Sequence, residues 1–217
     1  MKFPVVISLR KALPIWAMPK GSCRREEERT RPDQRHSRLP QSTRERPKAP
    51  HEEWELDAKA AQYVAGLGWV ILLDIMDVYS TMKVGCQAVL TTSRHGKAKA
   101  DDHQLALRRS FLRAGPPKRL AVDHDSVYYD RSPSPFPMRL HLWLLALDIE
   151  LVFGRFGRAT DQARVERMHQ TMTQQSVCGA LFSDSWALQA QLDQDLDFVN
   201  YHLPSRSLDD QPPLVAH

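Results

Sequence analysis

Between Leu67 and Ser80 the chain reads LGWVILLDIMDVYS, apolar at nearly every position and rich in β-branched residues. Such a run reads as a strand buried in a sheet, and it obliges the rest of the chain to supply layers that cover it. The surrounding sequence supplies them. WELDAKAAQYVAG (54–66) alternates loosely and reads as a preceding strand. TMKVGCQAVLTT (81–92) sets Met82, Val84, Cys86, Ala88 and Leu90 at period two and reads as a third strand. Short connections between the three suggest an antiparallel meander.

Helices and strands then alternate. DDHQLALRRSFLRAGPP (101–117) reads as a helix with Asp101 or Asp102 at its start, Leu105, Phe111 and Leu112 as its apolar stripe, and Gly115-Pro116 as its stop. LAV (120–122) is a short strand that runs into acidic residues. Leu140, Trp143, Leu144 and Leu147 fall at i, i+3, i+4 and i+7 and predict a largely buried helix. ELVFGRF (150–156) reads as another strand. TDQARVERMHQTMTQQSV (160–177) predicts a helix capped by Thr160 or Asp161 with Val165, Met168 and Met172 facing the core. SDSWALQAQLDQDLDFVNYH (183–202) predicts a last helix on Leu188, Leu192, Leu196 and Val199. The order β-β-β-α-β-α-β-α-α implies an α/β fold, a mixed sheet with helices on its faces. Trp143 and Trp186 are expected in its core.

Charge divides the chain differently. Residues 1–50 hold 13 Lys/Arg against 5 Asp/Glu, and the remainder holds 17 against 21. Residues 20–50 are also nearly free of large apolar side chains, too few to offset chain entropy by burial. The expected organisation is a basic, disordered arm or linker at 1–50, a core at 51–208 and a tail at 209–217. An arm of this charge suits a polyanion. Cys23, Cys86 and Cys178 are odd in number and far apart, against a disulfide framework or a cysteine-pair zinc site, so a reducing, cytoplasmic setting is expected. The opening MKFPVVISLRKALPIWAM is interrupted by Arg10 and Lys11, and no signal peptide is expected. The most apolar run, Leu140 to Leu147, is far short of the roughly 20 residues of a membrane span.

Carboxylates inside apolar strands are costly unless paired or bound to a cation. Asp57, Asp74 and Asp77 all occupy such positions, and Asp123 has Asp125 and Asp130 nearby. Composition and spacing alone do not choose among them.

Four stretches between Trp54 and Leu208, and a closing NYHLPSRSL, resemble the catalytic core of the retroviral-integrase superfamily, in particular bacterial insertion-sequence transposases. WELDAKA resembles the first catalytic strand, with Trp three residues before Asp. DIMDVYSTMKVG resembles the second strand with its closing Asp and Ser. LAVDHDSVYY resembles the strand that delivers the second Asp. GRATDQARVERMHQTM resembles the helix that bears Val-Glu-Arg followed by His or Asn.

The resemblance implies an RNase H-like fold, a five-stranded mixed sheet flanked by helices. It implies Asp57, Asp123 and Glu166 as a catalytic triad that holds two Mg²⁺ or Mn²⁺ ions. The implied reaction is DNA cleavage at a transposon end, then strand transfer to target DNA by a self-associating protein of the bacterial nucleoid. Arg155, Arg158, Arg164, Arg167 and His169 are candidate DNA contacts around that helix. Tyr128 and Tyr129 are more naturally packing residues than base-stacking ones. Two departures stand out. His124-Asp125 replaces the usual Asn-Gly, and no helix-turn-helix precedes Trp54, as in a truncated member. Two alternatives therefore stay open: an inactive transposase fragment that binds DNA or a partner, and an RNase H-like nuclease that hydrolyses without joining strands.

Overall fold

The computed structural model describes residues 46–123, 126–128, 138–153 and 163–217, with the backbone alone for residues 163–165. The expected arm up to Glu45 lies outside them, as does the Thr160/Asp161 cap.

Six strands form one sheet: β1 (Glu53–Ala58), β2 (Gln62–Val64), β3 (Gly68–Asp77), β4 (Lys83–Thr91), β5 (Arg119–Val122) and β6 (Glu150–Phe153). The single strand expected over 54–66 is two strands. Both lie along the same flank of β3, with β1 beside Leu73–Asp77 and β2 beside Gly68–Val70. The sheet thus has five positions, β4, β3, β1 with β2, β5 and β6. The β3 pairings are antiparallel, while β1–β5 and β5–β6 are parallel. With helices on both faces, this is the mixed α/β architecture of the RNase H-like fold.

Alternation along β3 divides the core in two. Ile71, Leu73 and Ile75 face one way and pack with Trp54, Leu56, Leu107, Leu120 and Leu144. Their cover comes from α1 (Ala100–Ala114) and α2 (Arg139–Ala146). Val70, Leu72 and Met76 face the other way, against α3 (Ala163–Met172) and α4 (Ser185–His202). Met168 and Met172 of α3, with Leu188, Leu192, Leu196 and Val199 of α4, fill that second core as the sequence spacing predicts.

β4 departs from strict alternation. The pairing slips between Ile75 and Met76, a β-bulge. Met82 and Val84 consequently join the first core, while Cys86 and Ala88 join the second, so the five residues expected on one face are split between two. Gly85 at the bulge lets α1 approach closely, since a Cβ there would lie 2.0 Å from the Ser110 hydroxyl.

Helix faces also differ from expectation. Buried on α1 are His103, Ala106, Leu107 and Ser110, while Leu105 is half-exposed and Leu112 is 90% exposed. The buried face combines the small Ala106 and Ser110, where Gly85 of β4 comes close, with the fully buried Leu107. Asp102 sits at N3, not at the cap, and accepts the Lys99 backbone N–H at 2.7 Å. α2 buries only Leu140 and Leu144, and Leu147 lies past its end, half-exposed. Trp143 is partly buried and stacks on Phe111. Trp186 is 82% exposed in the first turn of α4, not in the core. Past Met172 the helix widens into a π-helical turn, Thr173–Val177. The expected tail forms a short helix, α5 (Pro213–Ala216), and the His217 ring meets the Ser80 hydroxyl at 2.9 Å.

The assignment of faces is testable by unfolding in urea. Leu72→Ala should lose about 2–5 kcal/mol, the usual cost of truncating a fully buried leucine. Leu112→Ala should stay within about 0.5 kcal/mol of the parent, as an exposed substitution does. A loss at Leu112 matching that at Leu72 would contradict the assigned helix face.

Candidate functional site

The parallel pair β1–β5 leads towards two carboxylates, one near the end of β1 and one just after β5. Its register sets Glu53 against Arg119, Trp54 against Leu120 and Glu55 against Ala121. Continued by two residues, that register would set Asp57, in β1, opposite Asp123, the first residue after β5. Side chains alternate along a strand, so both lie on the face covered by α3 and α4, opposite the one that buries Trp54, Leu56 and Val122. In an open α/β sheet the carboxyl ends of parallel strands are where ligands bind.

A third carboxylate shares this face. Asp57 is the cross-strand partner of Asp74, which in turn is the partner of Cys86. Asp74 sits in the middle of β3 and is fully buried. Its Oδ2 lies 2.5 Å from Nδ1 of His169, and Nε2 of the same ring lies 3.0 Å from Oδ2 of Asp57. Carboxylates accept hydrogen bonds and do not donate them. Both ring nitrogens must therefore carry hydrogens, and the imidazole is a cation that donates to each. Its pKa reflects this. Burial disfavours the charge, but the hydrogen bonds to Asp57 and Asp74 and the charges of both outweigh it, and the pKa rises to about 9. His169 is buried on the underside of α3, so the surface phosphate contact expected for it is replaced by an internal ion pair.

Asp74 colours the groups around it. Burial lowers the Lys83 pKa to about 8 against the pull of Asp74. Burial likewise lowers that of Lys59, whose Nζ donates to the Thr173 hydroxyl at 2.5 Å. The buried Cys86 thiol is pushed well up by burial and by the Asp74 charge. Asp77, the other carboxylate of the apolar strand, has a different task. It accepts from Ser80 N and Oγ and from His51 N, at 2.7, 2.8 and 2.8 Å, and so pins the β3–β4 turn.

Of the sequence candidates, Asp57 bonds His169, Asp123 follows the end of β5 and Glu166 is exposed on α3. Glu166 is exposed in the first turn of α3, next to exposed Arg167. Among the described residues no three acidic, histidine or cysteine side chains gather closely enough to hold a metal ion. Carboxylate oxygens are the donors a hard divalent cation takes, and Asp57 keeps 18% of its side chain exposed. Arg155, Arg158, His124, Asp125 and Tyr129 lie outside the described residues, as does the Arg164 side chain. Tyr128 is buried, its hydroxyl 2.9 Å from His103 Nδ1, in the packing role expected of it. Asp74 is the participant that sequence reasoning did not select.

No family model matches the chain. Solved structures do match its fold. One is a chain of the simian T-cell lymphotropic virus intasome in complex with PP2A regulatory subunit B56 gamma, at 13% identity and a TM-score of 0.60. The match covers 80% of this chain and 56% of that one, so this chain spans little more than half of it. The HTLV-2 integrase catalytic core domain, solved in complex with magnesium, matches at 12% identity and a TM-score of 0.56, over 79% of this chain and 99% of that one. The catalytic core domain of BIV integrase matches at 15% identity and a TM-score of 0.51, over 76% and 92%. Among the described residues no helix is long and apolar enough to cross a membrane.

The ion pairs of His169 give stability a definite pH dependence. A histidine pKa raised from 6.5 to about 9 on folding contributes stability that is complete below pH 6.5 and lost as pH rises through about 9. Lys83, lowered from 10.5 to about 8, works in the opposite sense, adding stability as pH rises from about 8 towards 10.5. Urea midpoints of the parent minus those of His169→Gln should therefore shrink between pH 6.5 and 9. A difference that is flat or grows over that window would contradict the imidazolium assignment. The described part of this chain has the fold of the integrase catalytic cores it matches.

Proposed function

We propose that this chain is the catalytic core of a DNA transposase of the bacterial insertion-sequence type, with Asp57, Asp123 and Glu166 as its acidic triad. The observation that supports the reading is the parallel β1–β5 register, whose continuation by two residues would put Asp57 opposite Asp123 in an integrase-type fold. Glu166 stands on α3, the helix whose His169 already touches Asp57. Residues three apart on a helix are surface neighbours, so Glu166 belongs to the flank of α3 next to the strand carboxylates.

The triad would hold Mg²⁺ or Mn²⁺, two ions in the full reading. When bound, they supply Lewis-acid activation of the attacking oxygen and stabilisation of the leaving one. The chain's own part is positioning. The hydrogen-bonded ladder fixes Asp57 and Asp123, and α3 fixes Glu166. Arg167, exposed beside Glu166, and Arg155, Arg158 and Arg164 supply positive charge for phosphates of the transposon end and target. The excess of Lys/Arg in residues 1–50 extends that field for a DNA partner. Self-association on paired DNA ends completes the reading.

Incubation of the full chain with Mn²⁺ and DNA carrying the ends of the parent element should give nicked and joined strands. Asp57→Asn, Asp123→Asn and Glu166→Gln should each reduce nicking by at least about 100-fold, as loss of a group that stabilises transition-state charge does. Nicking that survives all three substitutions would sink the triad, and hydrolysis without joining would select a nuclease. One observation favours a non-cutting fragment: the exposed Glu166 stands apart from Asp57, whose Oδ2 is already taken by His169. Retention of end-DNA with no nicking in Mn²⁺ would select that reading.

A further inference from the structure

Asp74 presents a physical problem that stability does not solve. A carboxylate in the middle of the central strand, with no exposure, is expensive to desolvate. Replacing a buried ion pair by apolar residues is often neutral or stabilising, and the neighbouring positions Leu72 and Met76 on the same face are apolar. The residue is informative for what it holds. One oxygen of Asp74 takes the Nδ1–H of His169 at 2.5 Å, while the other has no hydrogen-bond partner. The imidazole plane and the identity of its free nitrogen are thereby set from below. Nε2 then points at Asp57 and donates to its Oδ2 at 3.0 Å, while Oδ1 of Asp57 takes the Ala58 backbone N–H at 2.9 Å. Both Asp57 oxygens are thus engaged, and the plane of its carboxylate is fixed.

We propose that Asp74 is a positioning residue for Asp57, acting through His169, so that the row Asp74–His169–Asp57 sets the orientation of the Asp57 carboxylate. The inference rests on the function proposed above for its catalytic consequence, and on the hydrogen-bond row alone for its structural one. A carboxylate behind an imidazole fixes the ring's tautomer and orientation in many protein sites, and loss of such a supporting group typically costs about 10–100-fold in activity or affinity.

The experiment uses the full chain and four variants: Asp74→Leu, Asp74→Asn, His169→Gln and the double variant Asp74→Leu/His169→Gln. Mn²⁺-dependent nicking is measured as kcat and as KM for DNA. The ring nitrogens of His169 are followed by ¹⁵N NMR in metal-free protein. In Asp74→Leu, kcat should fall about 10–100-fold with KM unchanged. Asp74→Asn, whose amide oxygen still accepts from Nδ1, should recover part of that loss. The double variant should be no slower than His169→Gln alone, because both substitutions break one row. The Nε2 resonance should lose its hydrogen-bonded shift in Asp74→Leu. An unchanged His169 ring in Asp74→Leu overturns the inference whatever the nicking assay gives, and so does a double variant whose loss is the product of the two single losses. A parent chain that nicks no DNA overturns the function, not the row. Should Asp74→Leu fail to fold, Asp74→Asn carries the same two measurements, with an unchanged ring and unchanged kcat as the overturning result.

Discussion

The hydrogen bond between Asp74 and His169 ties α3 to the sheet through a buried charged pair, while Gln189 and Asn200 tie α4 to the backbone of β4. Around the charged pair lie Leu72, Met76, Met168, Met172 and the leucines of α4, whose packing is non-directional. Apolar contact alone would let α3 rotate or slide by a fraction of a turn at small cost. A charged pair in a dry environment does not tolerate this. Separating the partners leaves a buried charge uncompensated, a loss of roughly 3–5 kcal/mol. The pair thus contributes little net stability and a large penalty against misplacement. It fixes the azimuth of α3, and with it every residue that α3 carries.

This explains how three acidic residues on β3 and β1 divide their work. Asp77 gives one oxygen to the β3–β4 turn, accepting from Ser80, and the other to the His51 backbone N–H ahead of β1. Asp74 has only one oxygen engaged by hydrogen bonding, and its partner comes from 95 residues away in sequence. Asp57 lies between solvent and this buried pair, partly exposed and partly held. The sheet thus grades from a structural carboxylate through a positioning one to an accessible one. The bulge at Ile75/Met76 serves the same face, because it frees Cys86 and Ala88 to continue the second core while Met82 and Val84 close the first.

How much of this the sequence discloses depends on the range of the interaction. Strands β3 and β4 and helices α1, α3 and α4 are legible because periodicity is a local signal, and the burial of Leu188, Leu192, Leu196 and Val199 follows directly. The split of 54–66 into β1 and β2 and the bulge in β4 are not, because each depends on which residue of β3 stands opposite. The buried face of α1 is misread for a related reason. Leu105, Leu107 and Leu112 are alike in type, but only Leu107 is turned to the sheet, on the face where Ser110 meets Gly85. Trp186 is exposed although apolar size alone would bury it. At the site, Asp57 and Glu166 stand out through motif context, and Asp123 through the strand it follows. Asp74 stands in the same apolar run as Asp77, and no pattern within that run distinguishes them. The distinguishing fact is the cross-strand register Asp57↔Asp74 together with a histidine on a distant helix.

That register bears on the third acidic residue as well. Strand carboxylates are placed by a ladder that has no freedom to rotate, whereas Glu166 is placed by the rotation of α3 about its axis. His169 is one turn further along that helix and is held at both nitrogens. Any rotation of α3 that carried Glu166 towards Asp57 and Asp123 would drag the imidazole across Asp74, against the penalty for an uncompensated buried charge. The exposure of Glu166 is therefore a matter of its own side-chain rotamers and of the chain before Ala163, not of helix register. Asp57 is bound by the same logic. Its Oδ2 faces an imidazolium whose single positive charge is shared between Asp57 and Asp74. The row that orients Asp57 also competes for it, and the two effects share a single hydrogen bond.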